Sequence, residues 1–510
     1  MAAQAAPRRQ GKGLSRPGAV PPHNLPVEEA TISRVHAAYR DGSLGATALV
    51  RYYLDRIAAI DRQGPSLQSL LTLNPRALDE AQRLDAAWPS GPVGPLHGVP
   101  VILKDNFDTQ DLPTTGGSVA MRESRPRRDA FVVQRLRAAG AIVLAKANLQ
   151  EFARGGVSIS SLGGQVRNPY DLTRSAGGSS GGTGAAIAAN LGLLGTGSDT
   201  GQSIRSPASA CCLVGVRPTR GLVSRSGLMP NSLTQDEAGP IARTVRDAAL
   251  MLDVMAGYDP RDPVTALGAG RRPASYAAGL GGEALRGARI GLLTDLQGGD
   301  ARHGEVNAVM EQVVRTMEEQ GATVLRLPLP GLTELAAEVG TDRWEARIAF
   351  ERYFAQLGPD QPVTSFRQLV DARSAVPEIQ RVMEAEIAID NGLDDPAYLR
   401  RLRNRDRLRI LLADCMARHG LAALLYPLQR ILPVPLGEPE QPERNGMLSH
   451  GTGFPAVTFP GGFSTPSATA PLGIPVGAEL LGPEFSEPAL LALAHAFEQA
   501  SGVRRPPAGL

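Results

Sequence analysis

Short apolar runs, each five or six residues long, recur between amphipathic stretches along this 510-residue chain. Val99–Leu103, Ala141–Ala145, Leu193–Gly197, Ala288–Leu293 and Ala322–Leu327 are too short for helices and read as buried strands. Helical periodicity fills the intervals at 27–40, 46–62, Pro75–Trp88, Asp129–Ala139, Thr244–Ala256 and Glu305–Gln320. Strands interleaved with helices predict an α/β fold around a mixed, largely parallel sheet. Segment 330–420 is charged and helical, with arginine-rich stretches such as RRLRNRDRLRI and no strong strand. Apolar runs return at Leu421–Tyr426, Ala456–Phe459 and Ile474–Leu481, and Glu487–Ala500 closes the pattern as a helix. The expected architecture is one α/β/α sandwich around a large mixed sheet, interrupted by a helical insertion at about 330–420. Ligands of such sheets gather beyond the carboxyl ends of strands, where Lys104 and the loop carrying Ser203 both fall.

A formal net charge of +2 gives no electrostatic reason to expect nucleic acid or an anionic membrane as partner. The basic run at 400–409 lacks interleaved aromatics and reads as a solvated helix face. No window reaches 18 consecutive apolar residues, so no membrane span is expected. Residues 1–25 contain Arg8 and Arg9 with no apolar core behind them, and are expected to be a disordered lead. Cys211, Cys212 and Cys415 make no disulfide framework, which suits a reducing cytoplasm.

One bias is sharper. Of 53 lysines and arginines only Lys12, Lys104 and Lys146 are lysine. Arginine keeps its proton inside a protein, whereas a buried lysine can lose it and act as a base. Lys12 lies in the lead and Lys146 is expected to be structural, which singles out Lys104.

The glycine- and serine-rich stretch Ser175–Ser209 holds two clusters of small residues, around Ser179–Ser180 and around Ser203. An apolar run that one helix could hold separates them. Glycine lets backbone approach a ligand closely. Ser203 ends the DTGQS loop and opens the apparent helix SIRSPASA, so its hydroxyl lies beside N–H groups with no helical partner. A hydroxyl nucleophile also needs a base. None of His23, His36, His97, His303, His419, His450 and His495 sits in a strand–loop setting beside a carboxylate, and no GxSxG elbow occurs. Lysine, with an ordinary pKa of about 10.4, must lose about 4–5 kcal/mol of proton affinity to work near pH 7, and burial can supply that. Ser179 or Ser180 could relay the proton. A phosphate loop is excluded, because no lysine follows the glycines as GxxxxGK[ST] demands.

GGSSGG (177–182), GSDTGQSIRSPA (197–208), PLHGVPVILKDNFD (95–108) and KANLQEFARGG (146–156) resemble the amidase signature family. VRPTRGLVSR (216–225), QDEAGPIAR (235–243) and the tail GTGFPAVTFPGGF…LGIPVGAELLG extend the resemblance over roughly 27–500. It implies an amidase signature domain at 26–505, with its core at about 95–260. It further implies an amidohydrolase cleaving a carboxamide or carbamate (urethane) C–N bond, aryl amides among the candidates, with no metal or cofactor; the cysteine usage makes the expected location cytoplasmic. In that family's Ser–cis-Ser–Lys triad, Ser203 would be the acylated nucleophile, Ser179 the bridging serine and Lys104 the base. Backbone N–H groups of Thr200, Gly201, Gln202 and Ser203 would form the oxyanion hole. Asp199 and Arg205 would support the loop, and carbonyls near Gly155–Gly156 would orient substrate. The expected partner is a small-molecule amide or carbamate, with neither nucleic acid nor membrane, and a homodimer is left open.

Three positions depart from the family pattern. Gln202 stands where glycine is usual, Arg154 where methionine is common, and Glu479 where glutamine is usual. The alternatives are the A subunit of a tRNA-dependent glutamine amidotransferase and a non-catalytic binding protein on the same fold. The first usually carries an acidic MYLxD-like segment where this chain reads NGMLSHGTGFP.

Overall fold

Eleven strands build one sheet: β1 (Leu70–Leu73), β2 (Pro100–Lys104), β3 (Ile142–Ala147), β4 (Leu194–Asp199), β5 (Val214–Arg217), β6 (Glu237–Ala242), β7 (Arg289–Leu293), β8 (Thr323–Leu327), β9 (Ala423–Pro427), β10 (Ala456–Phe463) and β11 (Pro475–Leu481). Their order across the sheet is β1-β3-β2-β4-β6-β5-β10-β11-β9-β7-β8. The computed structural model describes residues 27–390 and 392–510, so the lead expected at 1–25 lies outside the described residues. Helices pack around the sheet in a single-domain α/β/α sandwich.

The sheet is mixed, but the expectation that it is largely parallel is corrected. Parallel pairing joins β2 to β3 and β4, and β7 to β8 and β9; the other six adjacent pairs are antiparallel. Three strands without a strand-like signature account for much of the difference. β1 lies at the sheet edge, β5 is only four residues long, and β6 reads EAGPIA. Proline removes a ladder donor and is confined to places where none is needed. Here Pro240 faces Thr196 of β4, while β5 pairs only with Ile241 and Ala242. The missing N–H therefore falls beside an unpaired stretch.

β2 is buried at every position, as expected of a strand flanked in the sheet and covered on both faces. The short helix Gly181–Ala188 lies against β2 and β4, and small residues remove the obstacles on its way to β4 and to the end of β3. A Cβ on Gly182 would sit 2.1 Å from the Asn148 carbonyl, and one on Gly195 would sit 2.3 Å from Thr183 Cγ2. This close approach sets Ser179 and Ser180 above the carboxyl ends of β2 and β4.

Between β8 and β9 the chain is helical: Leu332–Ala337, Asp342–Leu357, Phe366–Asp371, Pro377–Ile387 and Pro396–His419. Phe350, Phe354, Phe366 and Met383 from these helices pack with Met121, Phe152 and Met229, which ties the segment to the 146–156 loop. The basic run at 400–409 is not wholly solvated. Arg405 is buried, donating to the Thr234 carbonyl and to the carbonyls of His450 and Gly451. Among the described residues no helix is long and apolar enough to cross a membrane.

Candidate active site

β2 and β4 run side by side in parallel, so their ends bring Lys104 and Ser198–Asp199 to one edge of the sheet. Lys104 is completely buried. Its Nζ lies 2.7 Å from Ser179 Oγ, 2.8 Å from Ser198 Oγ and 3.3 Å from the Ser198 carbonyl. Burial pushes the Lys104 pKa down to about 7, although Asp199 and Asp236 pull the other way. Ser198, which sequence reading did not single out, also accepts from Asn106 Nδ2 at 2.9 Å. Its only signal was its place one residue before Asp199 in the quoted motif.

The Gly178–Ser179 peptide bond is cis. The Ser179 carbonyl accepts from Gln150 N at 3.0 Å and from Ser158 Oγ at 3.2 Å. Ser158 Oγ also bonds the Gly177 carbonyl and receives the Gly181 N–H, so one hydroxyl clamps the whole turn. Ser179 and Ser180 differ in their contacts. Ser179 touches Lys104, whereas Ser180 spends its N–H and its hydroxyl on the Ser203 carbonyl. Ser180 thereby joins the two small-residue clusters.

The loop at 199–203 is anchored by buried charge. The Asp199 carboxylate receives Arg205 Nε at 3.0 Å, Arg217 Nη1 at 2.9 Å and the Ile204 N–H at 3.1 Å. Burial alone would raise its pKa, but Arg205 and Arg217 hold it well below the usual carboxylate range. Thr200 Oγ1 donates to Asp236 at 2.6 Å. Among the described residues, the N–H groups of Thr200, Gly201, Gln202 and Ser203 donate to no protein acceptor, in contrast to that of Ile204. Ser203 retains 6% exposure while Lys104 and Ser179 have none, so of the three it is the one a ligand can reach.

Glu479, the departure from glutamine, now has a partner. It accepts from Arg205 Nη1, the Tyr426 hydroxyl and Thr458 Oγ1, each at 2.7 Å. With Asp199 it balances the two guanidinium groups of Arg205 and Arg217. Replacing it with neutral glutamine leaves one buried positive charge in excess. Glu479→Gln is therefore expected to lower stability by about 1–3 kcal/mol, below the full cost of breaking a buried pair because Asp199 still holds Arg205. Urea unfolding measures this, and an unchanged midpoint would contradict it.

Arg154 adds no free charge at the site. Its guanidinium pairs with buried Glu386 and lies 5.2 Å from the Phe350 ring centroid. Gln202 is different. Its side chain is buried, both ends of its amide lack a partner among the described residues, and its Cβ packs where any side chain on Gly446 would have to go. Lys146 lies 3.1 Å from buried Asp105 and donates to the Pro113 carbonyl and Thr114 Oγ1, a structural network. His97 receives the Val93 N–H and bonds the Leu84 carbonyl. His303 does face a carboxylate, Glu443, contrary to the sequence expectation, but neither contacts the Ser203 loop. The histidine that sequence reasoning missed is His450, whose Nδ1 donates to the Gly201 carbonyl at 3.1 Å.

The amidase family profile matches residues 48–491. A probable amidase of Arabidopsis thaliana is 33% identical, over 94% of this chain and 92% of its own length. The A subunit of the glutamyl-tRNA(Gln) amidotransferase of Moorella thermoacetica is 36% identical, over 91% of this chain and 95% of its own. The solved structure of native peptide amidase from Stenotrophomonas maltophilia superimposes with a TM-score of 0.85 at 38% identity, over 94% of this chain and 99% of that one.

Proposed function

The chain belongs to the amidase signature family and is an amide C–N hydrolase, and we propose that it works through Ser203, Ser179 and Lys104 by way of an acyl-enzyme. The observation that carries this reading is the 2.7 Å contact between Lys104 Nζ and Ser179 Oγ in a site where burial brings that lysine to about 7. Neutral Lys104 accepts the Ser179 proton as Ser179 takes the proton of Ser203. Ser203 Oγ then forms a bond to the substrate carbonyl carbon, and the carbonyl oxygen gains the negative charge. The unpartnered N–H groups of Thr200, Gly201, Gln202 and Ser203 receive that oxyanion. When the C–N bond breaks, the relay returns the proton to the departing nitrogen. Water repeats the sequence on the acyl-enzyme and restores Ser203.

Gln202 supports a narrower reading of the substrate. An unpaired buried amide costs about 1–3 kcal/mol per group, and a substrate with its own donor and acceptor would remove that cost. A carboxamide bearing a second amide near the scissile carbonyl meets this demand. The 38% identity to a peptide amidase points the same way. Gln202→Gly is expected to reduce kcat/KM for such substrates by about 10–100-fold, from the loss of one buried polar contact, and to spare simple anilides. An unaltered ranking of substrates would refute this role.

The test of the function is a hydrolysis panel of peptide amides, anilides, fatty amides and carbamates, with Ser203→Ala as blank. Turnover of at least one amide, absent from the blank, is the expected result. Equal turnover by the blank would overturn the assignment. The 36% identity to the A subunit of an amidotransferase favours one second reading, a glutaminase that needs partner subunits. Activity of the purified single chain on simple amides excludes it, whereas inactivity relieved only by partner subunits would establish it.

A further inference from the structure

Three successive carbonyls of the 199–201 segment are held by side chains. Arg217 Nη1 donates to the Asp199 carbonyl, Gln235 Nε2 to the Thr200 carbonyl at 3.3 Å, and both Arg205 Nη2 and His450 Nδ1 to the Gly201 carbonyl. In a trans peptide the N–H points opposite to the C=O of the same unit. The only cis bond among the described residues is Gly178–Ser179. Each of these oxygens is held by a side-chain donor, so the N–H groups of Thr200, Gly201 and Gln202 each point away from the donor that holds the oxygen of the same peptide. Among the described residues these three N–H groups, like that of Ser203, find no protein acceptor.

We infer that His450 is a positioning residue for the oxyanion hole: through the Gly201 carbonyl it fixes the plane of the Gly201–Gln202 peptide and so aims the Gln202 N–H at the developing oxyanion. This inference rests on the proposed role of Ser203.

A carbonyl oxygen only accepts, so Nδ1 carries the proton and the ring is the Nδ1–H tautomer. His450 stays neutral through the physiological range, because burial, with Arg217, Arg405 and Arg205 nearby, brings it down to about 3. Its own backbone is fixed, since Arg405 Nη2 holds the His450 carbonyl at 2.9 Å and Arg205 Nη2 holds that of Gly446 at 3.0 Å. Gly446 packs flush on Gln202, where a Cβ would fall 2.4 Å from Gln202 Cβ. The short helix Met447–Thr452 is thus a brace set against the back of the loop.

The test compares His450→Leu, which fills space without a donor, with His450→Asn, whose amide N–H can take the place of Nδ1–H, and with His450→Gln, whose donor is displaced by one methylene. Removing one oxyanion donor outright costs about 10²–10³-fold in kcat. Arg205 remains in each variant, so His450→Leu is expected to lose about 10–100-fold in kcat with KM within threefold. Binding of a peptide trifluoromethyl ketone should weaken by the same factor, while a non-reactive product amine binds as before. His450→Asn should recover most of the kcat and His450→Gln little. If His450→Leu fails to fold by thermal melt, the Asn and Gln variants decide alone, and equal kcat in the two overturns the inference. So does a His450→Leu enzyme with full kcat, or one whose ketone affinity is unchanged. Ser203→Ala run in parallel separates the two failures. An active Ser203→Ala refutes the catalytic reading itself, whereas an inactive one beside a fully active His450→Leu refutes only the brace.

Discussion

Ser203→Ala should lower kcat for the best amide by at least about 10⁴-fold while leaving KM within a few-fold. The substitution removes one oxygen from a residue whose backbone anchoring stays in place. Its carbonyl still receives the Ser180 N–H, and the Asp199–Arg205–Arg217 cluster still shapes the loop. The N–H groups at 200–203 also remain, so the variant should still bind substrate and retain the residual acceleration over water that an oxyanion hole alone provides, about 10³–10⁴-fold. Steady-state kinetics on the best substrate of the panel would measure this. A variant that folds, binds and keeps more than about a tenth of wild-type kcat would show that another group forms the acyl bond.

Lys104 carries the second large effect, and its signature is a pH profile. A base must be unprotonated to accept the Ser179 proton. With Lys104 brought to about 7, kcat/KM should rise tenfold per pH unit below that value and level off above it. His450, at about 3, cannot give that limb. Glu386, pushed up to about 7 by burial, titrates in the same range, but Glu386→Gln should keep the limb. Lys104→Arg retains the charge and cannot release a proton, so it should be as inactive as Lys104→Met, at least about 10⁴-fold down. The same depression has a consequence for stability. Between about pH 7 and 10.5 the unfolded chain holds the proton that the folded one has released. The folded state is therefore expected to gain stability as pH rises through that window, a slope that Lys104→Met should remove. An activity profile flat from pH 5 to 9, or an active Lys104→Arg, would contradict the assignment.

Much of this site was legible before the fold because its residues sit in local sequence contexts with strong physical meaning. Lysine is so scarce here that one at the end of an apolar run invites a special role, and Lys104 indeed ends β2 fully buried. The glycine clusters around Ser179 and Ser203 announce close backbone approach, and Gly182 and Gly195 show it against Asn148 and Thr183. The alternating pattern likewise gave most of the sheet. What sequence could not give are partners assembled from distant segments. His450 reaches Gly201 across 249 positions, and Glu479 reaches Arg205 across 274. No periodicity or spacing encodes such contacts. Ser198 carried no signal beyond its place beside Asp199, and β6 carried none because it contains Gly239 and Pro240, residues that strands disfavour. Arg405 looked like one more solvated arginine until the Met447–Thr452 helix closed over it. Gln202 could be marked as unusual, but only the fold reveals that its amide is buried with no partner among the described residues.

The central claim is a covalent one, and peptide mapping by mass spectrometry after treatment with a fluorophosphonate tests it most directly. The predicted result is a single phosphonyl adduct per chain, located on Ser203 itself by fragmentation of the 175–205 peptide that also holds Ser179 and Ser180, absent from Ser203→Ala and formed far more slowly in Lys104→Met. An adduct on Ser179 or Ser180, or none on a chain that still hydrolyses amides, would contradict the account.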